Sequence, residues 1–368
     1  MRVPFLDLAA QLAPIRAEVD QAIARVLDNT SFVLGPTVAE FEEQFAKDTG
    51  RRHAVGVNSG TSALHLALIA AGVGQGDEVV TTPHTWISTT WAISYVGATP
   101  VYADVDPETG NLDPSAAEAA ITPRTKALLP VDLYGHPASL VEFEEIAARH
   151  DLVLIEDAAQ SHLALLDGRP AGSFGHQACF SFYPGKNLGA VGEAGAVVTD
   201  DDQTAARVRA LRDHAQSGRH HHVEVGYNYR MEGLQGAVLA VKLRHLKGWT
   251  EGRRAAAARY HDLLSDIDGV RLPAVADGVD PAWHLYPVRV ENRDAVGEKL
   301  GASGIATGVH YPTPVHLQPA YAHLGYNRGS MPHAEAYAAA CLSLPMFAEI
   351  TADMQKHVAD QLRTAVGS

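Results

Sequence analysis

The sequence predicts a two-domain α/β protein, with a large domain built on a mostly parallel seven-stranded sheet and a smaller C-terminal α/β domain. Three observations carry this. Short apolar runs alternate with longer helix-patterned stretches through the first two-thirds of the chain, an order that lays helices over both faces of a parallel sheet. Most of the runs are β-branched and continuous, not alternating, as strands covered on both sides should be. From about Gly233 the texture changes to long amphipathic helices and then a short α/β stretch.

In chain order the strand candidates are residues 54–57, 78–82, 100–105, 127–131, 152–156, 178–182 and 196–199. Between them lie helix candidates at 62–71, 85–96, 140–150 and 203–213. Residues 234–246 and 251–264 read as two long helices with Ala, Arg and Leu at helical spacing, and 283–290 followed by 294–301 as a small α/β layer. The boundary is placed near the first of the long helices, giving a large domain of 1–245 and a small one of 246–368, with the first thirty residues packing on the small domain. A chain of 368 residues accommodates two domains at roughly 100–200 residues each, and a core of that size needs no disulfides.

Hydrophobic residues make up 46% of the chain and charged residues 20%, an ordinary globular balance. A net charge of −14 argues against a nucleic-acid partner. The longest apolar stretch, 63–73, is interrupted by His65 and is too short to span a bilayer. The first eleven residues lack the apolar centre of a signal peptide. Cys179 and Cys341 each sit among apolar neighbours, so buried free thiols are expected, not a bridge or a metal site. The expectation is a cytoplasmic enzyme, in a reducing compartment, with no membrane partner.

Three segments carry chemistry. Asn58-Ser59-Gly60-Thr61-Ser62 links a strand to an Ala/Leu-rich helix; free N–H groups and the helix dipole suit such a turn to phosphate, although taken alone it is better accounted for by a plain N-cap from Ser59 or Thr61. In Glu156-Asp157-Ala158-Ala159-Gln160 a carboxylate lies just past a strand end, where ligands of open α/β sheets collect. Asp157 there can pair with a protonated pyridine nitrogen or simply cap the next helix. In Ser181-Phe182-Tyr183-Pro184-Gly185-Lys186-Asn187-Leu188-Gly189 a strand delivers Ser181 and then a lysine between two glycines. A lysine wedged between apolar segments loses solvation, which frees its amine for Schiff-base chemistry. A surface lysine in a turn is the bland alternative; the order and spacing of the three segments, which suit one cofactor, disfavour it.

These segments, with Phe32-Val33-Leu34-Gly35-Pro36, Gly226-Tyr227-Asn228-Tyr229-Arg230-Met231 and His310-Tyr311-Pro312, resemble the sugar aminotransferase family often called DegT/DnrJ/EryC1/StrS, of the aspartate aminotransferase fold (fold type I). The resemblance covers nearly the whole chain and implies a pyridoxal 5′-phosphate enzyme passing through the pyridoxamine form. It matches Lys186 to the Schiff-base and proton-shuttling lysine, Asp157 to the partner of the pyridine nitrogen, and Gln160 to the residue near the ring hydroxyl. Gly60, Thr61 and Ser181 match phosphate contacts, and Trp86 matches the aromatic stacked on the ring, although residue for residue Trp86 also reads as helix core. Asn228 matches a residue reaching the phosphate of a neighbouring subunit, which implies a homodimer with shared active sites. Two departures stand out: Ser161-His162-Leu163 where the family usually has Ala-His-Gly, and Glu193-Ala194-Gly195 where a Gly–Gly pair is common.

By the same resemblance the donor is L-glutamate and the acceptor a nucleotide-linked keto sugar. Arg230 is a candidate anion contact for the sugar or its diphosphate, with a salt bridge at the helix start as the competing account. His310 and Tyr311 belong to the late substrate loop. The run Val315-His316-Leu317-Gln318-Pro319-Ala320-Tyr321 resembles members that aminate C3, so a 3-keto sugar is favoured over a 4-keto sugar. A keto-cyclitol substrate and a non-catalytic, cofactor-binding regulatory role are the rival readings; Lys186 disfavours the second, and also disfavours a dehydratase branch that has histidine there. His220-His221-His222 has no carboxylate or cysteine at metal spacing and reads as a solvated loop, so no metal is expected.

Overall fold

The computed structural model describes residues 1–367. Its large sheet contains β1 (His53–Val57), β2 (Glu78–Thr81), β3 (Thr99–Tyr102), β4 (Thr125–Leu129), β5 (Val153–Asp157), β6 (Gln177–Ser181) and β7 (Gly195–Thr199). In space they run β1-β7-β6-β5-β4-β2-β3. Only β7 is antiparallel to its neighbours, β1 and β6. Every residue of β2 and β7 is buried, as strands covered on both faces should be. The sheet is therefore mostly parallel and seven-stranded.

The helix over residues 140–150 spans Leu140–His150 as expected, and the others shift by one to three residues: Gly60–Ala70, Ser88–Tyr95 and Asp202–Arg212. One expectation is corrected. The segments 234–246 and 251–264 form a single helix, Gly233–Leu264, because nothing between them forces a break. Gly248 and Gly252 sit inside it; Gly252 lies close to the Ala348 carbonyl, where a Cβ would stand 2.9 Å away. Buried residues up to Trp249 join the core of the large sheet, and those from Ala256 onward join a second core.

The second core lies beneath an antiparallel sheet of Val270–Arg271, Tyr286–Val290 and Cys341–Leu344, with the helices Arg293–Ala302 and Ala352–Val366 contributing Val296, Leu300, Val358 and Leu362. The first thirty residues divide between the two cores. Val3 bridges to Ile305 in the second, whereas the Arg16–Asp28 helix buries Val19, Ala22 and Val26 in the first. Phe45 meets Phe180 and Phe182 edge-on at 4.9 and 5.1 Å, placing the end of β6 and the chain beyond it against a rigid aromatic wall. Both cysteines are buried and free. Among the described residues no helix is long and apolar enough to cross a membrane.

Arg253, 2% exposed, stands midway along the long helix. Its Nη1 donates to the carbonyls of Trp283 (3.0 Å), His284 (3.3 Å) and Met346 (3.1 Å). Arg253→Met keeps the apolar stem and strands these carbonyls. It should lower unfolding free energy by about 3 kcal/mol in denaturant titration, the scale of breaking a buried, charge-assisted cluster. Asp266→Asn, which breaks the exposed pair with Arg363, should leave the midpoint unchanged.

Candidate active site

The turn after β1 leads straight into a helix N-terminus. Ser59 is extended (φ −169°) and its Oγ accepts from the Ser62 N–H at 3.1 Å, capping the Gly60–Ala70 helix while leaving the first N–H groups directed at the turn. Thr61 Oγ1 donates to Ser88 Oγ at 2.9 Å. A Cβ on Gly60 would lie 2.7 Å from Ser181 Cβ, so glycine is what allows this turn and the end of β6 to meet. Gly60, Thr61 and Ser181 thus share one cradle, and the Ser59 cap operates alongside the anion geometry.

Asp157 ends β5 and is buried. Its Oδ2 accepts from Thr89 Oγ1 at 2.8 Å, and Thr89 is held in turn by Thr85 Oγ1 at 2.9 Å. Its Oδ1 accepts from the Ala159 N–H at 3.3 Å. Burial pushes this carboxyl above the usual carboxylate range, opposed by the Thr89 and Ala159 hydrogen bonds and by the charge of Lys186. The opposite holds for Lys186, a half-buried side chain whose amine is enclosed by protein: desolvation pulls its pKa down to about 8, and the nearby Asp157 resists the fall. The loop carrying it is pinned at both ends. Asn187 Nδ2 donates to the Ala282 carbonyl at 2.8 Å, and Lys242 Nζ to the Gly189 carbonyl at 2.6 Å. Gly189 admits no side chain, because a Cβ would meet the Pro184 carbonyl oxygen at 2.3 Å.

Around this floor, Trp86 leaves 56% of its surface exposed, and its ring centroid lies 5.6 Å from that of Tyr311. It is not the helix-core residue its neighbours suggested. Gln160 is buried, with Oε1 accepting from the Tyr134 N–H at 2.6 Å and Nε2 donating to the Tyr311 hydroxyl at 3.2 Å. His310 Nδ1 pairs with Ser343 Oγ at 2.9 Å, and burial lowers its pKa to about 4. Burial also holds His162 (about 3) and His284 (well below its usual value) neutral, and the positive charge of Lys186 adds to each effect.

Two sequence candidates stand apart. The Asn228 side chain is exposed, with its backbone bridged to Asp213. Arg230 pairs with Asp213 at 2.9 Å, at the C-terminal end of the Asp202–Arg212 helix and not at the start of the long helix. The departures from the family pattern also have local consequences. Ser161 Oγ donates to buried Asp132 at 2.7 Å, and Leu163 takes φ 60°, the left-handed region that favours the glycine usual there. Burial raises Asp132 to about 6 and pushes Glu156, immediately before Asp157, well above the usual carboxylate range, with the charge of Asp132 adding to the rise at Glu156.

Sequence reasoning missed Thr89, Tyr134, His162 and His284. Thr85 and Thr89 were readable as an i, i+4 hydroxyl pair beside Trp86; the others meet the site only through tertiary contacts.

A cradle that a single Cβ would fill, an uncovered indole, a largely desolvated amine and a buried carboxylate together fit pyridoxal phosphate. A sequence profile of the DegT/DnrJ/EryC1/StrS aminotransferase family matches residues 14–363. A relative from Streptomyces venezuelae, a dTDP-3-amino-3,4,6-trideoxy-alpha-D-glucose transaminase, is 48% identical over 98% of this chain and 96% of its own. The crystal structure of S. venezuelae DesV in complex with a ketimine intermediate superposes with a TM-score of 0.97 at 48% identity, covering 100% of this chain and 99% of that one. NtdA of Bacillus subtilis with bound cofactor PMP gives 0.92 at 29% identity, covering 100% and 86%.

With a pKa of about 8, roughly one Lys186 amine in ten is neutral at pH 7, against about one in three thousand at the ordinary lysine value. Capture of added pyridoxal phosphate, followed by its visible band, should accelerate with rising pH to a midpoint near 8, and Lys186→Ala should show no band. Thr89→Val removes the hydroxyl donor from Asp157 and should lower turnover about tenfold or more, the range of a hydrogen bond to a charged group. Far-UV circular dichroism should be unchanged.

Proposed function

The chain belongs to the DegT/DnrJ/EryC1/StrS aminotransferase family, and from that premise we propose that it transfers an amino group from L-glutamate to C3 of a nucleotide-linked keto sugar. The observation that carries the reading is the desolvated Lys186 amine within electrostatic influence of buried Asp157, together with the turn at Gly60 pressed against Ser181. The C3 assignment draws on the run Val315–Tyr321 and on the 3-amino product named for the S. venezuelae relative.

Pyridoxal phosphate, bound here, supplies an electron sink for a carbon losing its proton. Every other step falls to the chain. Gly60, Thr61 and Ser181 would hold the phosphate, and Trp86 would cover one face of the ring. Asp157, supported by Thr89, would pair with a cationic ring nitrogen. Lys186, whose pKa of about 8 is close to working pH, would carry the cofactor and act as the base and acid that moves a proton at the substrate carbon. Neutral His162, His284 and His310 put no second cation beside it.

Asn228 completes the cradle of a neighbouring subunit, which makes the working unit a homodimer. Its exposure supports this, as do the uncovered Tyr95, Val223 and Val225, the last 84% exposed. Arg230 reaches the diphosphate by exchanging Asp213 for the ligand.

Purified protein given glutamate should lose its visible band, and a nucleotide-linked 3-keto sugar should restore it faster than the 4-keto isomer or a keto-inositol. Restoration by the keto-inositol alone would reject the sugar assignment. Mixing Lys186→Ala with Asn228→Asp homodimers under exchanging conditions should recover activity that neither parent has, since a hybrid dimer holds one intact site. No recovery, despite hybrid formation seen by native mass spectrometry, would reject site sharing.

A further inference from the structure

Three hydrogen bonds close a ring between the two sides of the site, and a fourth anchors it. The Tyr134 N–H donates to Gln160 Oε1 at 2.6 Å, and Gln160 Nε2 donates to the Tyr311 hydroxyl at 3.2 Å. Tyr311 follows His310, whose carbonyl accepts the Tyr134 hydroxyl hydrogen. That hydroxyl has one hydrogen, so its 2.8 Å bond with His84 Nε2 runs from the imidazole N–H to the tyrosine oxygen. His84, fully buried and neutral, anchors the ring to the segment that carries Trp86.

We propose that Tyr134 is a positioning residue that bolts the substrate loop at His310–Tyr311 to the Gln160 amide, so that Tyr311 presents its hydroxyl hydrogen to the incoming substrate. This deepens the functional reading above and rests on it. The backbone at Tyr134 is in the left-handed region, at φ 62°, an unfavourable place for a tyrosine that is held only if its surroundings determine it. They do. Gly135 next to it, at φ +90°, is pressed so closely that a Cβ would stand 2.9 Å from both the Gln160 carbonyl oxygen and the His284 nitrogen. The Ala282 N–H closes the turn onto the Gly135 carbonyl at 2.8 Å.

Two consequences follow from counting donors and acceptors. The Gln160 side-chain oxygen accepts the Tyr134 N–H, which fixes the orientation of the amide and leaves its second N–H to offer a cofactor ring oxygen, a donor that favours the ionised form. The Tyr311 oxygen is occupied by Gln160, so its hydrogen is available to an oxygen of the substrate. Burial pushes the Tyr311 hydroxyl pKa well above its usual value, and it stays protonated throughout the working range.

Tyr134→Phe tests this, because it keeps the ring and the backbone N–H but loses the bonds to His310 and His84. In the holoenzyme without substrate, amide hydrogen exchange over residues 306–317 should speed up about tenfold, the scale of one lost hydrogen bond. Exchange over 153–157 should not change, and the cofactor band should keep its position and its pH midpoint. Turnover should show KM for the keto substrate raised about five- to tenfold with kcat within about twofold. Unchanged exchange over 306–317, or faster exchange across the whole large sheet, overturns the bolt. A fall in kcat at constant KM overturns the claim about substrate presentation. The exchange measurement needs no substrate, so it decides on the bolt even if wild-type protein turns over no keto sugar, a result that would instead reject the functional reading.

Discussion

An amine kept out of water beside a buried carboxylate is the constraint around which this site is arranged. An isolated ammonium in that place is costly, and the protein answers with a pKa lowered to about 8, not with a paired, permanently charged lysine. Asp157 opposes the fall without abolishing it, because it is itself buried and stabilised chiefly by a neutral hydroxyl and one amide. The outcome is a lysine whose amine gives up its proton close to neutrality while still feeling the charge of Asp157.

Holding that balance requires rigidity on all sides. The segment from His84 to Thr89 does several jobs at once: His84 anchors Tyr134, Trp86 offers a flat face, Ser88 fixes Thr61 in the cradle, and Thr89 fixes Asp157. The lysine loop is clamped at both ends, by Asn187 donating to the Ala282 carbonyl and by Lys242 of the long helix donating to the loop's own Gly189 carbonyl. Below the floor, burial raises the Glu156 carboxyl well above the usual carboxylate range, which favours its neutral form next to Asp157.

The two cores meet along the Gly233–Leu264 helix, which passes from one to the other without a break. Lys242 and Arg253 lie on it, each buried and each spending its charge on main-chain carbonyls near the site. A continuous helix transmits position where a flexible linker would not. The floor belonging to the large sheet and the loop at His310–Tyr311 are therefore set in one frame before any ligand arrives.

Seven strands, most helices and the Lys186–Asp157–Gly60 constellation were legible in the sequence because local pattern carries them: continuous β-branched runs for doubly covered strands, a glycine–hydroxyl turn for the cradle, a lysine between glycines after a strand. The single long helix was not legible, since residues 247–250, with Gly248 among them, separate two helical patterns that only the packing of two cores along one axis joins. Trp86 gave no local sign of which way it would point; its exposure and its Tyr311 neighbour are tertiary facts. The same holds for Thr89, Tyr134 and His284, whose side chains are ordinary for their segments and gain a role only through partners distant in the chain. What the amino-acid order determined alone was the identity of the reactive groups and the elements that carry them. The lowering of the lysine pKa, the donor reaching Asp157 and the closing of the Tyr134 ring were decided by tertiary structure, because desolvation and hydrogen-bond geometry depend on what folds against a group and not on what precedes it.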